Sequence, residues 1–114
     1  WTTETKSMVD STWLHKFSKP ITFINTSRGA VVKTSDLLDA VDSGKVLSAA
    51  LDVIEFEGRS LEELELDNVA SVTLDRLLKN NLILITPHVA GWSVESYYKL
   101  SSVLADKIIL LRQS

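Results

Sequence analysis

Four polar residues of complementary chemistry stand out in this sequence, because they lie at or shortly after the ends of apolar runs. They are Arg28, Asp52, Glu57 and His88. A planar guanidinium binds a carboxylate through two parallel hydrogen bonds, and an imidazole takes up and returns a proton near neutral pH. A carboxylate on the second ring nitrogen of a histidine sets its tautomer. These residue types would suit a site that orients an acid and transfers a proton.

The apolar runs before these residues predict the strands that must position them. Strands are predicted at residues 21–26, 46–53 and 82–86, where Pro87 stops the last one. The spacing of apolar residues predicts helices at residues 6–17, 34–43, about 71–79 and 94–112. Alternation of strands and helices requires crossover connections, so we predict an α/β fold with a parallel sheet that is covered on both faces.

A parallel sheet would bring the polar residues together. Ligands bind outside the carboxyl ends of such strands, and Arg28, Asp52 and His88 each follow a strand end. Each residue also has an interpretation without function. Arg28 would be a surface arginine and Asp52 a cap of the following turn. His88 would be a hydrogen-bonded turn histidine and Glu57 a solvated acid. The pattern of strands and helices alone also fits an α/β domain of no assigned function, but the convergence of these polar groups on one edge of the sheet favours a functional site. His15 has no such neighbours and is predicted to lie on the surface.

Composition narrows the class of protein. The chain has 114 residues, a formal net charge of −3 and no basic block, which argues against a nucleic-acid partner. It contains no cysteine, so disulfides and thiolate chemistry are excluded. No apolar run is long enough to span a membrane, and the first residues do not form a signal peptide. Because the chain lacks an initiator Met, we expect a segment of a longer protein. We expect that protein to be cytoplasmic, since the absence of cysteine is compatible with a reducing compartment.

Three ordered segments carry a resemblance to a known family. They are Ile-Asn-Thr-Ser-Arg-Gly at 24–29, Ala-Ala-Leu-Asp-Val-Ile-Glu-Phe-Glu at 49–57 and Thr-Pro-His-Val-Ala-Gly at 86–91. Here the sequence resembles the NAD-dependent D-2-hydroxyacid dehydrogenases, and D-3-phosphoglycerate dehydrogenase in particular. The resemblance covers nearly the whole chain. It implies a Rossmann-type nucleotide-binding domain of which residues 1–114 form the C-terminal part.

The resemblance also implies roles for the polar residues. Arg28 would hold the substrate carboxylate, His88 would be the acid/base, and Glu57 would orient His88 and favour its charged form. The family usually has Pro after the catalytic Glu, whereas this chain has Gly58. The segment before His88 also looks long, so Glu55 is the alternative to Glu57.

The cofactor implied by the resemblance is NAD, which supplies the hydride chemistry while the protein supplies position and charge. Asp52 would meet its nicotinamide side. The other positions implied to contact it are Thr26, His88, Val89, Ala90 and Gly91. The four glycines of the chain form no G-x-G-x-x-G motif, so that half of the domain, like the substrate domain, is expected before residue 1. We therefore expect the isolated chain to be inactive and to bind NAD weakly or not at all.

Other proteins of the same fold are alternatives to a D-2-hydroxyacid dehydrogenase. The alternative function is a dinucleotide-sensing corepressor, a binding protein of the same fold. A formate dehydrogenase would carry Gln where Glu57 stands, and an unrelated α/β interaction module would not carry the three ordered motifs. A small 2-hydroxy or 2-oxo acid is the expected substrate. We also expect a homo-oligomer through the open edge of strand 21–26, with Trp13 and Phe17 exposed.

Overall fold

The computed structural model of the chain describes residues 1–58 and 67–113. The acidic run at 61–67 therefore lies outside the described residues, apart from Asp67. The elements in chain order are helix α1 (Ser11–His15), strand β1 (Ile21–Asn25), a 3-10 turn (Gly29–Val31), helix α2 (Thr34–Asp42), strand β2 (Val46–Leu51), helix α3 (Asn68–Leu78), strand β3 (Ile83–Ile85) and helix α4 (Val94–Gln113).

The three strands form one parallel sheet in the order β1-β2-β3. Phe23 lies beside Ala49 in the register of β1 and β2, and Leu51 lies beside Ile85 in that of β2 and β3. Helix α2 connects the first pair of strands and α3 lies between the second pair. The predicted parallel α/β architecture is therefore confirmed. Its three carboxyl ends lie at the same edge of the sheet.

Capping side chains explain where the helices differ from the prediction. Helix α1 begins only at Ser11, not at residue 6, because the Asp10 side chain accepts a hydrogen bond from the Trp13 amide at 2.8 Å. Helix α3 begins at Asn68, before the predicted residue 71, because the Asp67 side chain accepts from the Ala70 amide at 3.2 Å. A polar cap therefore overrides apolar periodicity at both helix starts.

The core lies on one face of the sheet. Its fully buried side chains come from α1, α2, β2 and α3, and Phe23 of β1 packs against them. They include Leu14, Leu37, Leu38, Val46 and Leu77. Burial of a leucine side chain stabilises a fold by about 1.5–3 kcal/mol, so this small cluster holds the strands and helices together.

The opposite face of the sheet is open within the described residues. Ile24 and Leu84 on this face are exposed, and so are many apolar side chains of α4. The predicted helical cover on both faces is therefore wrong for this part of the molecule, because α4 does not lie over the strands. Trp13 and Phe17 are half-buried instead of exposed, since their rings pack edge to face at 4.9 Å. None of the described helices is long and apolar enough to span a membrane.

Candidate active site

The predicted site residues meet at the carboxyl edge of the sheet. Arg28 follows β1, Asp52 directly follows β2, and His88 follows β3. All three line one cavity of about 400 Å³. Its remaining lining comes from Thr26, Gly91, Trp92, Ser96, Tyr97 and Leu100. The structure thus brings together residues that are up to 60 positions apart in sequence, as the strand-end rule predicts.

A hydrogen-bonded turn after β1 shapes the backbone at Arg28. The buried Asn25 side chain accepts from the Ser27 amide and hydroxyl at 3.1 and 2.9 Å, and donates to the Arg28 carbonyl at 3.1 Å. The Arg28 guanidinium donates to the Ser27 carbonyl at 2.7 Å. The sequence pattern predicts Asn25 only as part of a strand. An asparagine two residues before a serine at a strand end is the signal for such a turn.

Asp52 holds the chain segment that carries His88. One carboxylate oxygen accepts from the Thr86 hydroxyl at 2.6 Å and from the Val89 amide at 2.8 Å, and the other accepts from the Ala90 amide at 2.9 Å. These hydrogen bonds, the Thr86 bond above all, hold the pKa of Asp52 below its ordinary value. Asp52 is therefore a charged, 5% exposed acceptor whose donors lie on both sides of His88.

The backbone of His88 is strained. Its φ angle is 55°, in the left-handed region that side chains with a Cβ rarely occupy. Such a conformation costs about 1–3 kcal/mol and persists only where neighbouring interactions impose it. The bonds that Asp52 accepts, together with the bond from the His88 amide to the Thr86 carbonyl at 3.0 Å, impose it here. The turn therefore sets the direction in which the imidazole leaves the backbone.

Glu57 lies beside the imidazole. The His88 Nδ1 atom is 3.3 Å from Glu57 Oε2, and Glu57 Oε1 accepts from the Ile54 amide at 3.2 Å. A carboxylate in this position favours a proton on Nδ1, which leaves Nε2 available for exchange with another molecule. Both side chains are partly exposed, so a small ligand can reach them.

Glu55 caps helix α2 and is not placed beside His88. Its Oε2 atom accepts from the Thr34 amide at 2.8 Å, at the N-terminus of α2, where backbone amides lack helical acceptors. The two acids of this loop are thus separated by geometry, with Glu55 capping a helix and Glu57 facing the histidine. Sequence spacing alone does not distinguish the two residues.

Comparison with known proteins places this chain in a family. The family model described as D-isomer specific 2-hydroxyacid dehydrogenase, NAD binding domain, matches residues 1–90. The chain belongs to this family. Its parallel sheet is accordingly the Rossmann-type sheet of the family, and both the predicted family and the predicted fold are confirmed.

Individual relatives agree with this assignment. A D-lactate dehydrogenase from Staphylococcus aureus is 35% identical over 98 residues, which is 85% of this chain and 30% of that protein. The 2-hydroxyacid dehydrogenase homolog 2 of Schizosaccharomyces pombe is 38% identical over 97 residues, covering 83% and 29%. The crystal structure of a D-lactate dehydrogenase from Treponema pallidum has a TM-score of 0.69 and 27% identity, covering 93% of this chain and 35% of that one. The chain thus spans about 30% of the length of these curated relatives.

A second cavity of about 230 Å³ in this NAD-binding domain has Asp52 among its lining residues. The strands provide an apolar floor that includes Ile24, Ala50 and Leu84, and Thr26 and Asp52 also line the cavity. Within the described residues, Asp52 Oδ2 accepts one hydrogen bond, so it has capacity for a further donor. A flat ring that carries a carboxamide would match such a surface, and the nicotinamide of NAD is a ring of that kind.

Proposed function

We propose that this chain supplies the catalytic residues and the nicotinamide side of an NAD-dependent dehydrogenase that interconverts D-2-hydroxy acids and 2-oxo acids. One observation carries the proposal: Arg28 and His88 line one cavity, and the Glu57 carboxylate lies beside Nδ1 of the His88 imidazole. A carboxylate binder beside a paired histidine is the arrangement that oxidation of a hydroxy acid requires.

Arg28 would bind and orient the substrate. Its guanidinium presents a planar fork that matches a carboxylate through two hydrogen bonds, so the substrate is held in one orientation. The side chain follows a turn fixed by Asn25 and lines the same cavity as His88. An acid bound there places its second carbon, which bears the reacting oxygen, on the side of the imidazole.

His88 would transfer the proton. During oxidation, Nε2 takes the proton of the substrate hydroxyl, and during reduction the imidazolium returns a proton to the carbonyl oxygen. Glu57 beside Nδ1 orients the ring, and Asp52 keeps the supporting turn in place. NAD, when bound, accepts or returns the hydride.

Residues around the second cavity would hold the nicotinamide side of NAD. Asp52 would accept from the carboxamide, and its negative charge favours the positively charged oxidised ring. Thr26, the His88 turn and the backbone of 89–91 would form the rest of this surface. We further propose that a glycine-rich pyrophosphate loop and a substrate domain outside these 114 residues complete the enzyme, because the chain contains no G-x-G-x-x-G motif.

The proposed function does not by itself specify which D-2-hydroxy acid is the substrate. Phosphoglycerate-like specificity stays a prediction from the sequence. The quoted relatives are named for D-lactate or for 2-hydroxy acids in general. Among the described residues that line the cavity, Arg28 and the imidazolium of His88 are the cations, and we assign Arg28 to the carboxylate and His88 to the reacting oxygen.

Steady-state kinetics of the intact protein that carries these residues tests the proposal. With a 2-oxo acid and NADH, His88→Ala should lower kcat by about 10²–10⁴-fold, because the proton donor is lost. Arg28→Lys should chiefly raise KM for the acid, since an ammonium cannot form the two-pronged bond. His15→Ala, at an exposed position on α1, is the matched control and should leave kcat unchanged.

Two results would contradict the proposal. Near-normal turnover in His88→Ala would remove the histidine from the mechanism. Tight binding of NAD by the intact protein without turnover of any 2-oxo or 2-hydroxy acid would instead favour a dinucleotide-sensing binding protein.

A further inference from the structure

One wall of the cavity that holds Arg28 and His88 is apolar and aromatic. It consists of Trp92, Tyr97 and Leu100, at the start of α4. These side chains are 70%, 60% and 68% exposed. Scattered apolar side chains are ordinary on a protein surface, but three that line one concave site together form an apolar patch beside the charged groups.

The backbone fixes the position of this wall relative to the charged residues. The Trp92 amide donates to the Val89 carbonyl at 2.8 Å, and the Val89 amide donates to Asp52. Helix α4 begins just beyond, where Ser93 Oγ accepts from the Ser96 amide at 3.1 Å. The indole is therefore attached to the same hydrogen-bonded turn that carries the imidazole.

We propose that this wall, Trp92 above all, binds the side chain of the substrate and selects 2-oxo acids with an apolar or aromatic side chain. This inference rests on the proposed dehydrogenase function, in which Arg28 holds the carboxylate and His88 faces the reacting oxygen. The third substituent of the second carbon is then left to contact the rest of the lining, whose apolar part is the aromatic wall and whose other members are Thr26, Asp52, Gly91 and Ser96.

Charge supports the same selection. Apart from His88, whose imidazolium faces the reacting oxygen, Arg28 is the one cation among the described residues that line the cavity, and Asp52 lines it as well. A phosphate or a second carboxylate on the substrate would meet no further cation there and would face the Asp52 charge. An aromatic or branched side chain would instead cover Trp92 and Tyr97 and remove apolar surface from water.

The size of the cavity agrees with a substrate of this kind. Its volume of about 400 Å³ lies in the range of about 300–1,000 Å³ that is typical of small-molecule sites. The carboxylate and the reacting carbon need only the part next to Arg28 and His88. Thr26, Asp52 and Gly91 belong to the side proposed for the nicotinamide, so the lining at Trp92, Tyr97 and Leu100 is left for the side chain of the substrate.

Specificity constants of the intact protein with four 2-oxo acids test the inference. The probes are phenylpyruvate, 4-methyl-2-oxopentanoate, pyruvate and 3-phosphohydroxypyruvate. The first two should exceed both others by about 10–200-fold in kcat/KM, which is the range that contacts in a hydrophobic pocket supply. Trp92→Ala should lower kcat/KM for phenylpyruvate by about 10-fold or more, mainly through KM, and should change pyruvate little.

Matched variants separate recognition from folding. Trp92→Phe keeps an aromatic face and should retain most of the preference, while Trp1→Ala removes an exposed tryptophan outside the cavity and should change nothing. The substrate preference of the unsubstituted protein decides the question even if Trp92→Ala fails to fold.

The outcomes are distinct. Turnover of pyruvate without any preference for the larger acids, or an equal loss for all four acids in Trp92→Ala, would overturn the inference and leave the dehydrogenase function intact. A preference for 3-phosphohydroxypyruvate would also overturn it and would support the phosphoglycerate-like prediction. Turnover of none of the four acids, nor of any other 2-oxo acid, would overturn both.

Discussion

Substitution of Gly29 by alanine should disrupt the loop that carries both acids. A Cβ atom at this position would lie 1.8 Å from the Ile54 carbonyl oxygen and 2.0 Å from its carbon. The Ile54 carbonyl would have to retreat by about 1.6 Å to reach ordinary van der Waals contact. Because both sides of this contact are backbone, no rotation of a side chain can relieve it.

The expected magnitude follows from what the displaced loop holds. Overpacking of a tight contact costs about 1–3 kcal/mol. Retreat of the loop also weakens the bond from the Thr34 amide to Glu55, and a hydrogen bond to a charged group contributes about 1.5–3 kcal/mol. The total loss should be about 2–5 kcal/mol, which for a domain of this size lowers Tm by roughly 10 °C or more.

Urea denaturation of the 114-residue chain, followed by circular dichroism, measures this loss. Gly91→Ala is the matched control, since a Cβ atom at Gly91 meets nothing within 4 Å, and its free energy of unfolding should stay within about 0.5 kcal/mol of the original. Equal midpoints for Gly29→Ala and the original chain would refute the reasoning, because the close approach to Ile54 would then be unimportant.

Four further predictions follow from the electrostatics, the sheet edge and the cofactor surface. Because the pKa of Asp52 is lowered in the folded state, its carboxylate stabilises the fold at pH values above its ordinary pKa of 3.8, and this contribution is lost as the pH falls through the folded-state pKa. Asp52→Asn should therefore flatten the decrease in the free energy of unfolding that is measured across that acid range. Arg76→Gln removes ion pairs to Asp39 and Asp42 at 2.8 and 2.5 Å, and because these groups are largely exposed the loss should stay below about 1 kcal/mol and vanish in high salt. Light scattering should detect dimers or larger species, because the outer edge of β1 is unpaired among the described residues; a clean monomer would contradict this. Calorimetry of the 114-residue chain should detect weak NAD binding or none, whereas micromolar affinity would show that the cofactor site has been misplaced.

The sequence by itself was sufficient to predict the sheet and the edge at which the site lies. The runs that became β1, β2 and β3 are short and apolar, and strands joined by helical crossovers are parallel. Parallel strands end at one edge, so Arg28, Asp52 and His88 could be placed together from chain order alone. The family followed from the motifs at the same strand ends.

Only the tertiary structure decided which contacts each acidic side chain makes. Glu55 and Glu57 are two positions apart and chemically alike, yet one bonds to Thr34 and the other pairs with His88. Likewise, Asp52 bonds to donors 34–38 positions away, and these contacts impose the left-handed backbone of His88. Local propensity contains no information about such distant partners, because they are set by the register and packing of the strands.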